Sequence, residues 1–226
     1  ELLQTVRTAS ERGWTGVKLY FMLGLPTETP DDVESIIQLV RKANREGKRG
    51  KGRALRLKLS VSAFVPKAHT PFQWVPQNTV EELNAKVQAL RLGLRKSGVH
   101  LSWQDPRVSM LEGVLARGDR RLAKAIYRAW QLGCTFDAWS ERFDFEKWLC
   151  AFDDTGLAPS FYAHRQRPVE ELLPWSHIDV GVSPAFLRWE YERTLKGKET
   201  EDCRYGQCTA CGMQRWHPAC KSRYSA

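Results

Sequence analysis

The chain lacks any apolar run near the roughly 20 residues that a membrane span requires, and no secretory leader opens it. Membrane insertion and secretion are therefore set aside. The expected compartment is the reducing cytoplasm, where structural disulfides are disfavoured. No internal repeat is present. Acids are scarce in one stretch: between Arg41 and Lys58 a single Glu46 stands among nine Lys and Arg. The rest is ordinary for a globular protein, 42% hydrophobic and 27% charged with nine tryptophans over 226 residues, enough to bury one good core with a small appendage. The first residue is Glu1, inside an amphipathic pattern of Leu2, Leu3, Val6 and Ala9. This pattern predicts a chain entered midway, with the N-terminal part of the same polypeptide missing.

The formal charge of +9 is concentrated in that basic run, outside which the chain is nearly balanced. A solvated loop accounts for the run; an RNA or ribonucleoprotein contact is the alternative. The run joins a helix to the following strand, so it belongs at the strand N-terminal end.

In "GVKLYFMLGLPTETPDDVESIIQLVRKANREG" (residues 16–47), Val17, Leu19, Phe21 and Leu23 alternate with Lys18, Tyr20 and Met22, which predicts a strand. Thr29 suits a helix N-cap, Pro30 the first helical position, and Asp31 and Asp32 the positive end of the dipole. Val33, Ile36, Ile37 and Val40 follow at helical spacing, and Gly47 offers a stop. "LRLKLSVSAFVP" (55–66) is a second strand, with Leu57, Leu59, Val61 and Ala63 on one face and Lys58, Ser60, Ser62 and Phe64 on the other. Thr79 and Glu82 form a capping-box signature before Leu83, Val87, Leu90 and Leu94. Gly98 closes that helix, and "VHLSW" (99–103) is a further short strand.

Strands alternating with helices predict parallel β/α units, as a barrel wall or an open sheet with one crevice. Past Asp105 helical patterns take over. Residues 108–134 are punctuated by Gly118 and Gly133, an aromatic acidic segment follows, and a last helix is capped by Ser183 with Pro184 at its first position. The expected organisation is 1–105 for the β/α part, 106–200 for a helical extension and 201–226 for a cysteine-rich tail.

In β/α folds the loops after strand C-termini carry the chemistry. Gly24-Leu25-Pro26 after the first strand is such a loop, although Gly and Pro there also make an ordinary turn. After the second strand, Lys67 and His69 sit where an acid or base could act; hydrogen bonding of His69 to a loop carbonyl is the simpler expectation. His100, His164 and His177 have no ligand-like neighbours in sequence. Cys134 and Cys150 read as small buried residues.

The strongest chemical signal is Cys203-x4-Cys208-x2-Cys211, with Gly206 and Gly212 permitting sharp turns. Cys220 is the fourth candidate ligand and His217 its substitute. Four soft donors suit zinc or an iron–sulfur cluster, and spacing alone does not separate the two.

Several segments in order resemble the radical S-adenosylmethionine (SAM) family. "YFMLGLPTETPDDVESI" is similar to its fifth-strand region, with Thr27 in place of a second glycine. "SVSAFVPKAHTPFQW" is similar to the sixth strand and its loop, with Ala68 in place of proline. "RGDRRLAKAIYRAW", "FDAWSERFDFEKW", "LPWSHIDVGVSPAFL" and "DCRYGQCTACG" resemble the C-terminal extension of a subgroup that carries a B12-binding-type domain. The resemblance implies an α/β fold: the last units of a partial (β/α)6 barrel, followed by a mainly helical extension and the tail. It implies SAM across the strand C-termini, with Tyr20, Met22, Gly24, Ser62, Phe64 and Val65 around the adenosine. It further implies a catalytic [4Fe–4S] cluster, cobalamin in the parent protein and an accessory metal centre at Cys203, Cys208, Cys211 and Cys220. The cluster motif of that family, C-x3-C-x2-C, does not occur in this chain, so the chain by itself is expected to be inactive toward SAM. The rival expectation is a metal-stapled basic module that binds RNA or a ribonucleoprotein.

Overall fold

Alternation in the two long strands sends one set of side chains to a core and the other to solvent, and the remaining elements follow from covering the first set. A computed structural model describes residues 1–48, 55–216 and 220. Its elements are α1 (Leu2–Glu11), β1 (Gly16–Leu23), α2 (Pro30–Gly47), β2 (Arg56–Ala63), α3 (Val80–Gly93), β3 (His100–Trp103), α4 (Pro106–Arg117), α5 (Leu122–Gln131), α6 (Phe145–Asp154), α7 (Pro159–Ala163) and α8 (Pro184–Leu195), then a 3-10 turn at Met213–Arg215. The chain divides into two compact units. One comprises 1–65 and 77–112, the other 66–76 and 113–226.

In the first unit the strands form a parallel sheet in the order β1-β2-β3. Val17 pairs with Leu57, Leu19 with Leu59 and Phe21 with Val61, so the apolar rows coincide. Leu19, Leu23, Leu57, Leu59 and Val61 are buried with Val33, Ile37 and Val40 of α2 and Val87 and Leu90 of α3. Each such fully buried branched side chain contributes about 1.5–3 kcal/mol. Gly93 sets how closely α2 and α3 approach, because a Cβ there would lie 2.4 Å from Ile37 Cδ1.

Both capping boxes form. Thr29 Oγ1 accepts from the Asp32 N–H and Asp32 Oδ2 accepts from the Thr29 N–H. Thr79 and Glu82 repeat the arrangement at α3. α3 ends at Gly93 with Leu94 as its C-cap, five residues before the Gly98 expected to close it, and Gly98 instead takes φ +77 in the turn before β3.

In the second unit the helical stretch breaks into α4 and α5 at Gly118, where a Cβ would lie 1.9 Å from Leu122 Cδ1. Gly133 follows α5 at φ +90. Ser183 caps α8 by accepting from the Phe186 N–H. A second core gathers Trp74, Leu173, Trp175 and Leu187. The fold is thus mixed α/β, with a small parallel sheet and a separate helical unit.

Candidate functional site

The register that buries one face of the sheet leaves the other open. Lys18, Lys58 and His100 form one row across it, and Tyr20, Ser60 and Ser102 the next. Met22 and Ser62 pair nearer the strand C-termini. Tyr20 is 73% exposed and Met22 43% exposed. The Lys18 ammonium lies 4.7 Å from the Tyr20 ring centroid, and the Ser102 hydroxyl donates to Leu59 O at 3.3 Å. The face therefore offers hydroxyls and one aromatic ring, with cations confined to the strand N-terminal half.

The loop after β1 is held from below. Gly24 is buried at φ +83, and a Cβ there would lie 3.0 Å from Asn78 Oδ1 and 3.2 Å from Leu83 Cδ2. Its N–H donates to Glu28 Oε2 at 2.9 Å, and Glu28 Oε1 pairs with Lys86 Nζ at 2.7 Å. Lys86 also donates to Asn78 Oδ1 at 2.7 Å. Thr27, a β-branched residue, has φ +69. The turn thus has left-handed backbone at both Gly24 and Thr27, at a cost in strain for the β-branched residue.

Among the six residues expected around an adenosine, Tyr20, Met22 and Ser62 share the open face. Gly24 lies in the turn, and Phe64 and Val65 are buried at the exit of β2. The Phe64 N–H donates to Leu23 O at 2.7 Å, tying the two strand exits together.

His69 takes φ +56, and its own N–H donates to Gln73 Oε1 at 3.2 Å. Among the described residues its imidazole bonds no carbonyl, unlike the sequence expectation. Cys134 is buried, with its thiol pushed up by desolvation and then by Asp137 and Asp144. Cys150 is exposed on α6, because at that position of the helix the apolar face has already turned away through Trp148, Ala151 and Phe152.

In the tail, Cys203, Cys208, Cys211 and Cys220 are half-buried and form no disulfide among the described residues. Their chemistry suits a soft ion. Among the described residues no three Cys, His, Asp or Glu side chains gather around one centre. His217 lies outside the described residues. What anchors the tail is backbone: the Ser183 N–H donates to Cys211 O at 2.7 Å. Gly212, at φ +109, lies so close to the loop before α8 that a Cβ would meet Gly181 O at 2.5 Å. The basic run is described only in part, since residues 49–54 lie outside the described set; its described portions occupy the end of α2 and the start of β2.

Sequence reasoning missed an arginine cluster in the second unit. Arg117 and Arg167 are 0% and 2% exposed. Arg117 donates to Ala163 O at 2.8 Å and Arg165 O at 3.1 Å, and Arg167 donates to Arg117 O at 2.6 Å. Arg165 grips Glu171 through both oxygens, at 2.6 and 2.7 Å. Burial, followed by the charges of Arg167 and Arg165, pulls the Arg117 guanidinium down to about 10. The signal in sequence was the repetition of arginine in "RGDRR" and "HRQR", which periodicity alone does not single out as buried.

No family model matches the chain, and no solved structure matches it. A relative among curated proteins is "Uncharacterized protein MJ0966" of Methanocaldococcus jannaschii, 29% identical over 161 residues. The match covers 70% of this chain and 33% of the relative. The chain therefore spans about a third of the length of the curated relative it matches.

Proposed function

We propose that the chain is the C-terminal part of a radical SAM enzyme, comprising the last β/α units of a partial barrel, a helical extension and a cysteine-rich tail. The observation that carries this reading is the turn Gly24–Glu28 at the C-terminal end of a parallel strand. It has left-handed backbone at both Gly24 and Thr27 and stands beside an open sheet face of Tyr20, Met22 and Ser62. Among the described residues β1 pairs on one side only, with β2. An eight-residue edge strand is a liability unless another strand covers it, and preceding strands of the same polypeptide are its natural partner.

In this reading Tyr20, Met22 and Ser62 contact the adenosine of SAM, Gly24 lets the backbone come close, and Phe64 and Val65 back the site. The Glu28–Lys86 pair holds the turn in place. The [4Fe–4S] cluster, when bound by cysteines upstream, supplies the electron for reductive SAM cleavage; in the parent protein cobalamin is a further cofactor. The tail thiolates take zinc or an accessory iron–sulfur cluster only after the tail closes around it. The proposed setting is the cytoplasm, in keeping with the finding that no helix among the described residues is long and apolar enough to cross a membrane.

The test is to express the polypeptide with its upstream sequence, load it anaerobically with iron and sulfide, add SAM and a reductant, and measure 5′-deoxyadenosine. Production by the longer protein and none by residues 1–226 is the expected result. If the upstream sequence lacks C-x3-C-x2-C, or the loaded protein leaves SAM intact, the reading fails. Metal analysis of the tail, wild type against Cys208→Ser and Cys211→Ser, separates zinc from iron–sulfur and both from an empty tail.

A further inference from the structure

The second unit encloses a cavity of about 320 Å³ whose walls come from the loop 68–75, residues 169–183 and the start of α8. Its size is at the lower end of small-molecule sites, which run from about 300 to 1,000 Å³. Nucleotides with several phosphates and polymers are therefore poor candidates. The apolar walls are Trp74, Leu173, Trp175 and Leu187, each at least nine-tenths buried. Flat indoles and branched aliphatics suit a planar apolar body.

The polar groups on these walls are out of balance. Gln73 is 4% exposed, and its Oε1 accepts from both Trp175 Nε1 at 2.7 Å and the His69 N–H at 3.2 Å. Those two bonds fix which way the amide points. Its NH2 group, two donors on a cavity wall, is left with no acceptor among the described residues. The indole N–H of Trp74 is buried with no partner. Arg215, carried by the docked tail, lines the same cavity and makes no ion pair among the described residues. On the acidic side, Glu171 is already bound through both oxygens by Arg165. Asp179 lends one oxygen to the Gly181 N–H at 2.8 Å. The imidazoles of His69 and His177 complete the rim.

The Trp74 N–H is sealed from water without an acceptor, at a cost of about 1–3 kcal/mol, whereas the Gln73 NH2 opens onto the cavity, where a ligand can reach it. A guanidinium fork matches the planar, two-oxygen geometry of a carboxylate, and a fixed amide NH2 donates to one of those oxygens. We propose that this cavity binds a small organic carboxylate with a flat, apolar body, the body between the tryptophans and the carboxylate on Gln73 and Arg215. The site lies within the second unit and does not depend on the radical SAM reading. It also gives the tail a function independent of metal: docking through Ser183 and Gly212 delivers Arg215 to the cavity wall.

The experiment is calorimetric titration of the 226-residue chain with benzoate, 2-naphthoate and indole-3-acetate, alongside the neutral 2-naphthalenemethanol and inorganic phosphate. At least one carboxylate saturates at one equivalent, and binds about tenfold or more tighter than the neutral alcohol, as expected for loss of a charge-assisted hydrogen bond. Gln73→Glu keeps the acceptor for Trp175 and His69 but replaces the NH2 with a carboxylate oxygen, and abolishes binding. Arg215→Gln weakens it several-fold, and Lys198→Gln, away from the cavity, leaves it unchanged. If Gln73→Glu lowers the melting temperature, Arg215→Gln decides. The proposal is overturned if none of the carboxylates saturates, if alcohol and carboxylate bind alike, if phosphate competes as well as the carboxylate, or if Arg215→Gln binds like wild type.

Discussion

The Arg167 guanidinium donates to the main-chain carbonyl of Arg117 at 2.6 Å, while Arg117 reaches away to the carbonyls of Ala163 and Arg165. Two buried cations thus hold three carbonyls that no helix or strand satisfies. The desolvation they suffer is offset by backbone hydrogen bonds and by the nearby Glu171 charge. This pair is the polar centre of the second unit, as Leu59 and Val40 are apolar centres of the first.

Replacing Arg117 by Lys keeps the charge but loses the fork that spans Ala163 O and Arg165 O. At least one buried carbonyl is then left without a donor, at a cost of about 1–3 kcal/mol. Arg120→Lys, on an exposed side chain, stays within about 0.5 kcal/mol of wild type. Urea unfolding of the two variants checks the contrast; equal midpoints would show that the fork does not matter.

Thr27→Gly relieves a β-branched residue of its left-handed backbone. The variant gains up to about 1 kcal/mol, the difference between relieved strain and greater freedom of the unfolded chain. Thermal melts measure it. A loss of stability would mean that the Thr27 side chain holds the turn by a contact worth more than the strain.

Glu28→Ala removes the acceptor of the Gly24 N–H and leaves Lys86 with Asn78 alone. The Glu28 side chain is only 5% exposed, so the loss is about 2–4 kcal/mol. Glu28→Gln retains an acceptor and loses less. Amide exchange at Gly24 reads the local effect, and unchanged protection there in Glu28→Ala would contradict this account of the turn.

The Glu171 carboxyl is held below its ordinary value of 4.5, first by the hydrogen bonds from Arg165 and then by the charges of Arg165, Arg167 and Arg117. A carboxyl lowered in the folded state adds stability that is fully present above that ordinary value and is lost as pH falls through the folded one. Melting temperature therefore declines below pH 4.5, and Glu171→Gln flattens part of that decline. Asp105, Asp119 and Asp144 are lowered in the same way and retain their share. A Glu171→Gln profile parallel to wild type down to pH 3 or so would rule out the contribution.

Much of the first unit was legible because its signals are local. Alternation in residues 17–23 and 57–63, the two capping boxes and the stop at Gly47 are read from neighbours in the chain, and each appears in the structure where the pattern predicts it, whereas α3 ends at Gly93, ahead of the expected stop at Gly98. Phe64 is different. Period two assigns it to the open face, but the strand ends at Ala63, and beyond that residue the alternation no longer governs direction. Cys150 was misjudged for a related reason, since an aromatic-rich helix still has an outer face.

The cavity and the arginine cluster were not legible. Gln73 and Trp175 are 102 positions apart, and Arg117 and Arg167 are 50 apart. No periodicity connects such residues. By itself the sequence determined the strands, the helices, their caps and the soft-donor chemistry of the tail, because these depend on backbone preference and side-chain type over a few residues. Only the tertiary structure decided which polar groups are sealed from water and which of them lack a partner, because desolvation belongs to the packed chain and not to any segment of it.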